Sequence, residues 1–263
     1  METKIKTFSH SGTTGDLLFS LATIKALGGG HLYIKLYNLD KMIQEKLGWP
    51  NAGQHSGRMT HNDYEVLKDL VLHQPYIKGF TIWEGEPVDY DLDNAGKWFM
   101  NCPEFPHNNT NTHALACGLD PKEHLDTLQI NPWLECRDPI KITGRPYVVF
   151  RQQRHNQGNA DRSEDWQKLI DFKLCDQSVF VGLEPEYQWF CQSYGVTIPH
   201  YKTNNMFELA QVIAGCEMMF TSCSSPMVVG VGLGKSMWIE VRKPIDLDRF
   251  EVNFPYRLNI NYF

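Results

Sequence analysis

Residues 10–29 read HSGTTGDLLFSLATIKALGG. The polar first half, Ser9 to Asp16, is rich in residues that make turns and cap helices. Leu17, Leu18, Leu21, Ile24 and Leu27 then recur at helical spacing, and Gly28-Gly29-Gly30 ends the helix. On its N-terminal side, Lys4 to Phe8 is short and β-compatible. On its C-terminal side, His31 to Tyr37 is β-branched and aromatic enough for a second strand. Strand, glycine turn, helix and strand make the β-α-β unit of a parallel sheet.

The same grammar continues outward. Asp63 to His73 predicts a helix with Val66, Leu67, Leu70 and Val71 on its face, and Phe80 to Trp83 predicts a short strand. Pro87 to Pro106 is irregular and aromatic, and His113 to Gly118 resumes helical spacing. Periodicity disappears between Pro132 and Pro146, which predicts a domain boundary near residue 140. Beyond it, strands are expected at 147–150, 178–181, 218–221 and 236–241. Helices are expected from Ser163, over 185–194, over 207–215 and over 227–234. The expected fold class is therefore α/β, with Rossmann-like domains over residues 1–140 and 141–263 facing a central cleft.

Composition narrows the function. The 263 residues carry a formal net charge of -6, which disfavours a protein that coats nucleic acid. No apolar run approaches the roughly 18 residues of a membrane span. The start, METKIKTFSHSG, lacks the apolar core of a signal peptide, so a cytoplasmic location is expected. Seven cysteines, an odd count without a C-x-x-C pair, read as reduced thiols.

Three stretches together resemble the heptosyltransferase-like glycosyltransferases, glycosyltransferase family 9. The first is residues 10–29, similar to the family's strand, Gly-Asp turn and helix. The second is LAQVIAGCEMMFTSCSSPMVVGVGLGKSMWIEV, residues 209–241, similar to its nucleotide-sugar motif. The third pairs YVVFRQQ at 147–153 and SEDWQKLI at 163–170 with FVGLEPEYQWF at 180–190. The resemblance implies a GT-B architecture and a nucleotide-sugar donor on the C-terminal domain. It implies no metal and no cofactor beyond that co-substrate. The implied acceptor is a hydroxyl on a glycan or lipid-linked sugar. For a minimal, virus-encoded member, a modified DNA base is the alternative.

The resemblance also implies roles. Asp16 matches the family's catalytic aspartate, and a carboxylate there can take the proton of an attacking sugar hydroxyl. The other reading of Asp16 is a cap for its helix. His10, Ser11, Thr13 and Thr14 fall in an acceptor-side loop. Ser222, Ser224 and Ser225 precede a helix whose free N–H groups suit a diphosphate, or they simply cap it. Arg151 and Arg154 are placed to balance the leaving diphosphate, or are solvated loop residues. Glu240 is placed for ribose or base contact, ahead of Glu184 and Glu186. The family's Asp, Gly and His are here Cys223, Ser225 and Val228, a departure that fits an unusual donor or a silent binding module.

Asp89-Tyr90-Asp91-Leu92-Asp93 offers a D-x-D pattern of the kind that holds a divalent cation. It lies in the N-terminal half, away from the donor motif. His10, His55, His61, His73, His107 and His113 show no metal-binding spacing.

Overall fold

The computed structural model describes residues 4–36, 59–94, 109–152, 163–241 and 259–263. It divides into two compact units, Met1–Glu135 and Cys136–Phe263.

In the first unit, β1 (Thr7–His10), β2 (Gly30–Ile34), β3 (Ile77–Ile82) and β4 (Tyr90–Asp91) form a parallel sheet in the order β3-β2-β1-β4. Helices α1 (Thr14–Ala26), α2 (His61–Leu72) and α3 (Asn109–Ala116) belong to the same unit. Every residue of α1 from Leu17 to Ile24 is buried, so it is a core helix rather than an amphipathic one. Trp133 is enclosed beside it and donates its indole N–H to the Leu18 carbonyl at 3.0 Å. Gly29, at φ 86°, follows α1 where a Cβ would sit 2.1 Å from the Tyr76 carbonyl oxygen. Only glycine permits that approach.

The first strand starts three residues later than its sequence suggests and includes His10, which is therefore a buried strand residue and not part of a loop. The ladder fixes this register: His10 pairs with Ile34, and its carbonyl accepts from Lys35 N–H at 2.8 Å. The irregular segment after Pro87 contains β4, too short to show a period of two. Residues 95–108, which complete that segment, lie outside the described residues, as do His55, His107 and Arg154.

The second unit holds β5 (Tyr147–Phe150), α4 (Ser163–Asp171), β6 (Ser178–Val181), α5 (Glu184–Tyr194), β7 (His200–Tyr201) and α6 (Met206–Gly215). It continues with β8 (Met218–Ser222), α7 (Ser225–Gly232), β9 (Met237–Glu240) and β10 (Ile260–Tyr262). All six strands are parallel, in the order β10-β9-β8-β5-β6-β7. Residues 136–140 join this unit. Ile140 N–H bonds the Gln211 carbonyl at 2.9 Å, and the Gln211 side chain reaches the Asp138 carbonyl at 3.2 Å.

Both sheets reverse direction once. The chain runs β1-β2-β3 to one side and returns to β4 on the other side of β1. It runs β5-β6-β7 and returns to β8 on the other side of β5. In such sheets ligands bind outside the carboxyl ends of the strands, at the reversal. The β1/β4 and β5/β8 pairs therefore mark where each unit should carry its site.

Candidate functional site

At the first reversal, Asp16 lies in the opening turn of α1. Its Oδ2 accepts from Thr13 N–H at 2.9 Å and from the Thr13 hydroxyl at 2.8 Å. The capping role is thus real, and a carboxylate there also complements the helix dipole. Among the described residues its Oδ1 has one long contact, 3.3 Å, from the Asn109 amide. One oxygen holds the helix start; the other, on a half-exposed residue, is nearly uncommitted among the described residues.

Gly12 lies between Asp16 and His10. A Cβ on it would be 2.3 Å from His10 Cε1 and 2.8 Å from Asp16 Cβ, so the absent side chain lets the two close in. Gly12 N–H donates to His10 Nδ1 at 2.7 Å, which puts the proton of the neutral ring on Nε2. Among the described residues that buried Nε2 has no partner, and neither has Nδ1 of His113, whose ring centre is 5.1 Å away. Burial, and then the neighbouring His10, push the His113 ring down to about 4. Asn109 and His113 were not linked to Asp16 by sequence, because α3 reads as a polar stretch.

The aspartates of the D-x-D pattern are stitched to β1. Asp89 accepts from Thr7 N–H and hydroxyl at 3.0 Å, and pairs with Lys4 at 2.6 Å. Asp91 Oδ1 accepts from the Ser9 hydroxyl at 3.1 Å, and Asp93 Oδ1 from Ser11 N–H at 2.7 Å. Lys35, almost wholly buried, lies between the last two, 3.2 Å from Asp91 and 2.8 Å from Asp93. Burial alone would lower its ammonium, but Asp93 and Asp91 hold it above the usual lysine value. Burial would likewise raise Asp93, and its neighbours His10 and Lys35, with the Ser11 N–H, keep it below the carboxylate range. Among the described residues no group of three or more His, Cys, Asp and Glu is arranged to hold a metal. Thr13 is exposed as the residue before α1, and Thr14 is half-buried as its first residue.

At the second reversal, Gln152 N–H donates to the Ser222 hydroxyl at 3.0 Å and so ties the end of β5 to the end of β8. Ser224 donates to the Ser222 carbonyl at 3.0 Å. Both serines are buried, and the Ser224 side chain does not cap α7. Ser225, its first residue, is half-exposed. Its hydroxyl therefore stands at the positive end of α7.

Arg151 and Glu240 behave differently from their sequence reading. They form an ion pair at 2.8 Å and are both fully buried. The guanidinium also bonds the Tyr194 hydroxyl and lies 5.4–5.7 Å from the ring centres of Trp166, Trp189 and Tyr194. Their charges satisfy each other inside the core instead of standing open to a ribose or diphosphate. The Glu240 carbonyl faces the Cys223 thiol at 3.4 Å, so the pair borders the serine loop. Val228, where the resembled family has its histidine, is buried in α7. Glu184 pairs with Lys202, and Glu186 accepts from Leu183 N–H; both lie in the first turn of α5 and secure its start rather than forming a separate turn.

No protein-family model and no curated protein sequence matches the chain. Solved structures do. A family 9 glycosyl transferase from Veillonella parvula aligns over 100% of this chain and 87% of its own, with TM-score 0.53 and 12% identity. The E. coli ADP-heptose lps heptosyltransferase II aligns over 99% and 90%, with TM-score 0.52 and 11% identity. The dodecameric iron-containing heptosyltransferase TibC of enterotoxigenic E. coli, in complex with ADP-D-beta-D-heptose, aligns over 97% and 64%, with TM-score 0.52 and 13% identity. The two parallel sheets, each reversing once around its first strand, give this chain a GT-B-like fold, similar to that of the heptosyltransferase-like structures of glycosyltransferase family 9.

Proposed function

We propose that this protein is a glycosyltransferase that moves a sugar from a nucleoside-diphosphate sugar to an acceptor hydroxyl, with inversion and without an obligatory metal. The observation that carries the reading is Asp16, a carboxylate at the N-terminal reversal with one oxygen anchored by Thr13 and the other, among the described residues, holding one long contact. It supports a single displacement. The acceptor oxygen attacks the anomeric carbon as Asp16 takes its proton, and the bond to the diphosphate breaks. The helix start at Ser225 is the proposed position for the leaving charge. Arg151 and Glu240 take a structural part in this reading, as a buried pair beside the strand ends that carry the Ser222–Ser225 loop.

The test is a thermal-shift series with ADP, UDP, GDP and CDP and their sugars, since a ligand of the native state raises its stability. The best donor is then assayed for transfer or hydrolysis with and without EDTA. Stabilisation by one nucleotide, with EDTA-resistant turnover, is expected. No shift with any nucleotide defeats the reading, and turnover lost to EDTA and restored by magnesium or manganese defeats its metal-free part.

A second reading, a silent nucleotide- or sugar-binding module, draws on Cys223 and Val228. The thiol faces a backbone carbonyl and the valine is buried, where the resembled family has an Asp and a His. Donor binding with neither transfer nor hydrolysis would favour it.

A further inference from the structure

The first unit holds a cavity of about 360 Å³ lined by Ser9, Lys35, Trp83, Glu86, Val88 and Asp91, with Gly85 and Pro87 at its wall. It lies beside the reversal between β1 and β4, where Ser9 and Asp91 pair. A volume in this range suits a small ligand. Its charge is unusual. Lys35, the cation on its wall, is held by Asp91 and Asp93, and its ammonium lies 5.4 Å from the centre of the Trp83 ring. Lys35 therefore has little left to offer an anion. The acceptors are the surplus. Asp91 Oδ1 takes three donors, from Ser9, Lys35 and Asp93 N–H, while among the described residues Oδ2 takes none. Asp91 is 38% exposed. Glu86 adds a second half-buried carboxylate, one oxygen of which accepts from Glu84 N–H.

A phosphate entering this cavity would meet two carboxylates and a cation already neutralised. A hydroxyl or ammonium donor would meet a carboxylate oxygen ready to accept, and hydrogen bonds to an ionised acceptor are the strong ones. We infer that the cavity is a binding subsite for an uncharged or amino sugar, selected by hydrogen-bond donation to Asp91 and Glu86, and that it rejects phosphorylated sugars. The inference rests on the transferase reading for its role, as the place where the acceptor's sugar ring is held. A row of neighbours leads from it towards Asp16: Asp91 and Asp93 share Lys35, Asp93 faces His10, and His10 and Asp16 both flank Gly12.

The experiment is saturation-transfer NMR on the full chain. The probes are methyl glucoside, methyl mannoside, methyl galactoside, glucosamine and glucose 6-phosphate, with ADP, UDP, GDP and CDP in parallel samples. At least one neutral or amino sugar should bind, and glucose 6-phosphate should not. Val88→Trp, which fills the cavity from a half-exposed position, should abolish the sugar signal, and Asp91→Asn should weaken binding roughly tenfold. Circular dichroism and melting of both variants confirm that they are folded. Equal binding of glucose 6-phosphate, no binding by any sugar, or a sugar signal that survives in folded Val88→Trp overturns the inference. Nucleotide binding without sugar binding sinks the subsite alone. Sugar binding with no nucleotide binding keeps the subsite and sinks the transferase reading.

Discussion

The Arg151 guanidinium and the Glu240 carboxylate meet at 2.8 Å with neither side chain exposed to solvent, joining the ends of β5 and β9 across β8. Removing one member of such a pair leaves an uncompensated buried charge, which typically costs about 3–5 kcal/mol. Glu240→Ala should therefore lower the denaturation midpoint sharply. The double variant Arg151→Met, Glu240→Met should recover much of that loss, because a packed apolar pair needs no solvation. If Glu240 instead contacted the donor directly, Glu240→Ala would weaken nucleotide binding and leave the midpoint in place. Denaturation curves and nucleotide affinities on the three variants separate the cases.

Gly12→Ala tests the closeness of His10 and Asp16. The added Cβ would fall 2.3 Å from His10 Cε1 and must push the ring or the turn aside. Overpacking of this kind costs about 1–3 kcal/mol. The melting temperature should fall, and turnover should fall with it because Asp16 is displaced. A variant with unchanged melting and turnover would show that the two side chains do not close on Gly12.

His113 gives the first unit a signed pH dependence. It faces His10 of β1, Asp16 of α1, and Leu92 and Asp93 after β4. Its pKa falls from 6.5 to about 4 on folding, chiefly through burial. Between those values the unfolded chain binds a proton that the folded chain refuses, so stability declines as pH falls from 6.5 towards 4. The full loss is at most about 3 kcal/mol. Asp93, held below its usual range, adds its own loss only at lower pH, as its carboxylate protonates. Denaturant titrations at pH 7, 6 and 5 should show the decline, and His113→Phe should flatten it. An equal decline in the variant would assign it to other groups.

Much of the fold was legible because its strands and helices carry ordinary patterns. Tyr147–Phe150 and Ser178–Val181 are short β-branched and aromatic runs, and α1 announces itself by leucines ending at glycines. The site was less legible wherever polar residues are buried. Helix α3, NTNTHALA, has no apolar stripe, yet Asn109 to Ala114 are all buried. Gln129 bonds Thr110 at 3.0 Å and Asn111 at 2.7 Å, a network that hydrophobic periodicity cannot reveal. Arg151 and Glu240 are 89 residues apart, and nothing local marks either as the other's partner. The D-x-D pattern did carry a usable signal. Thr7 and Ser9 alternate as Asp89 and Asp91 do, and their hydroxyls donate to those carboxylates where β4 lies beside β1.

Asp16→Asn separates the two roles of Asp16 in one protein. Asn keeps a side-chain oxygen that can accept from Thr13 N–H and hydroxyl, the contacts now made at 2.9 and 2.8 Å. The helix start should hold, and the midpoint of unfolding should move little, because only the favourable charge at the N-terminus, about 0.3–1 kcal/mol, is lost. The proton acceptor is lost outright. If Asp16 is the general base, kcat should drop on the order of 10²–10⁴. Donor affinity should stay near its original value, since the serine loop and the start of α7 belong to the other unit. Thr13→Ala provides the converse. It removes the hydroxyl contact to Oδ2 while keeping the carboxylate, so it should lower stability more than Asp16→Asn does and turnover much less. Normal turnover in Asp16→Asn, with the helix intact, would reduce Asp16 to a cap and remove the observation on which the transferase reading stands.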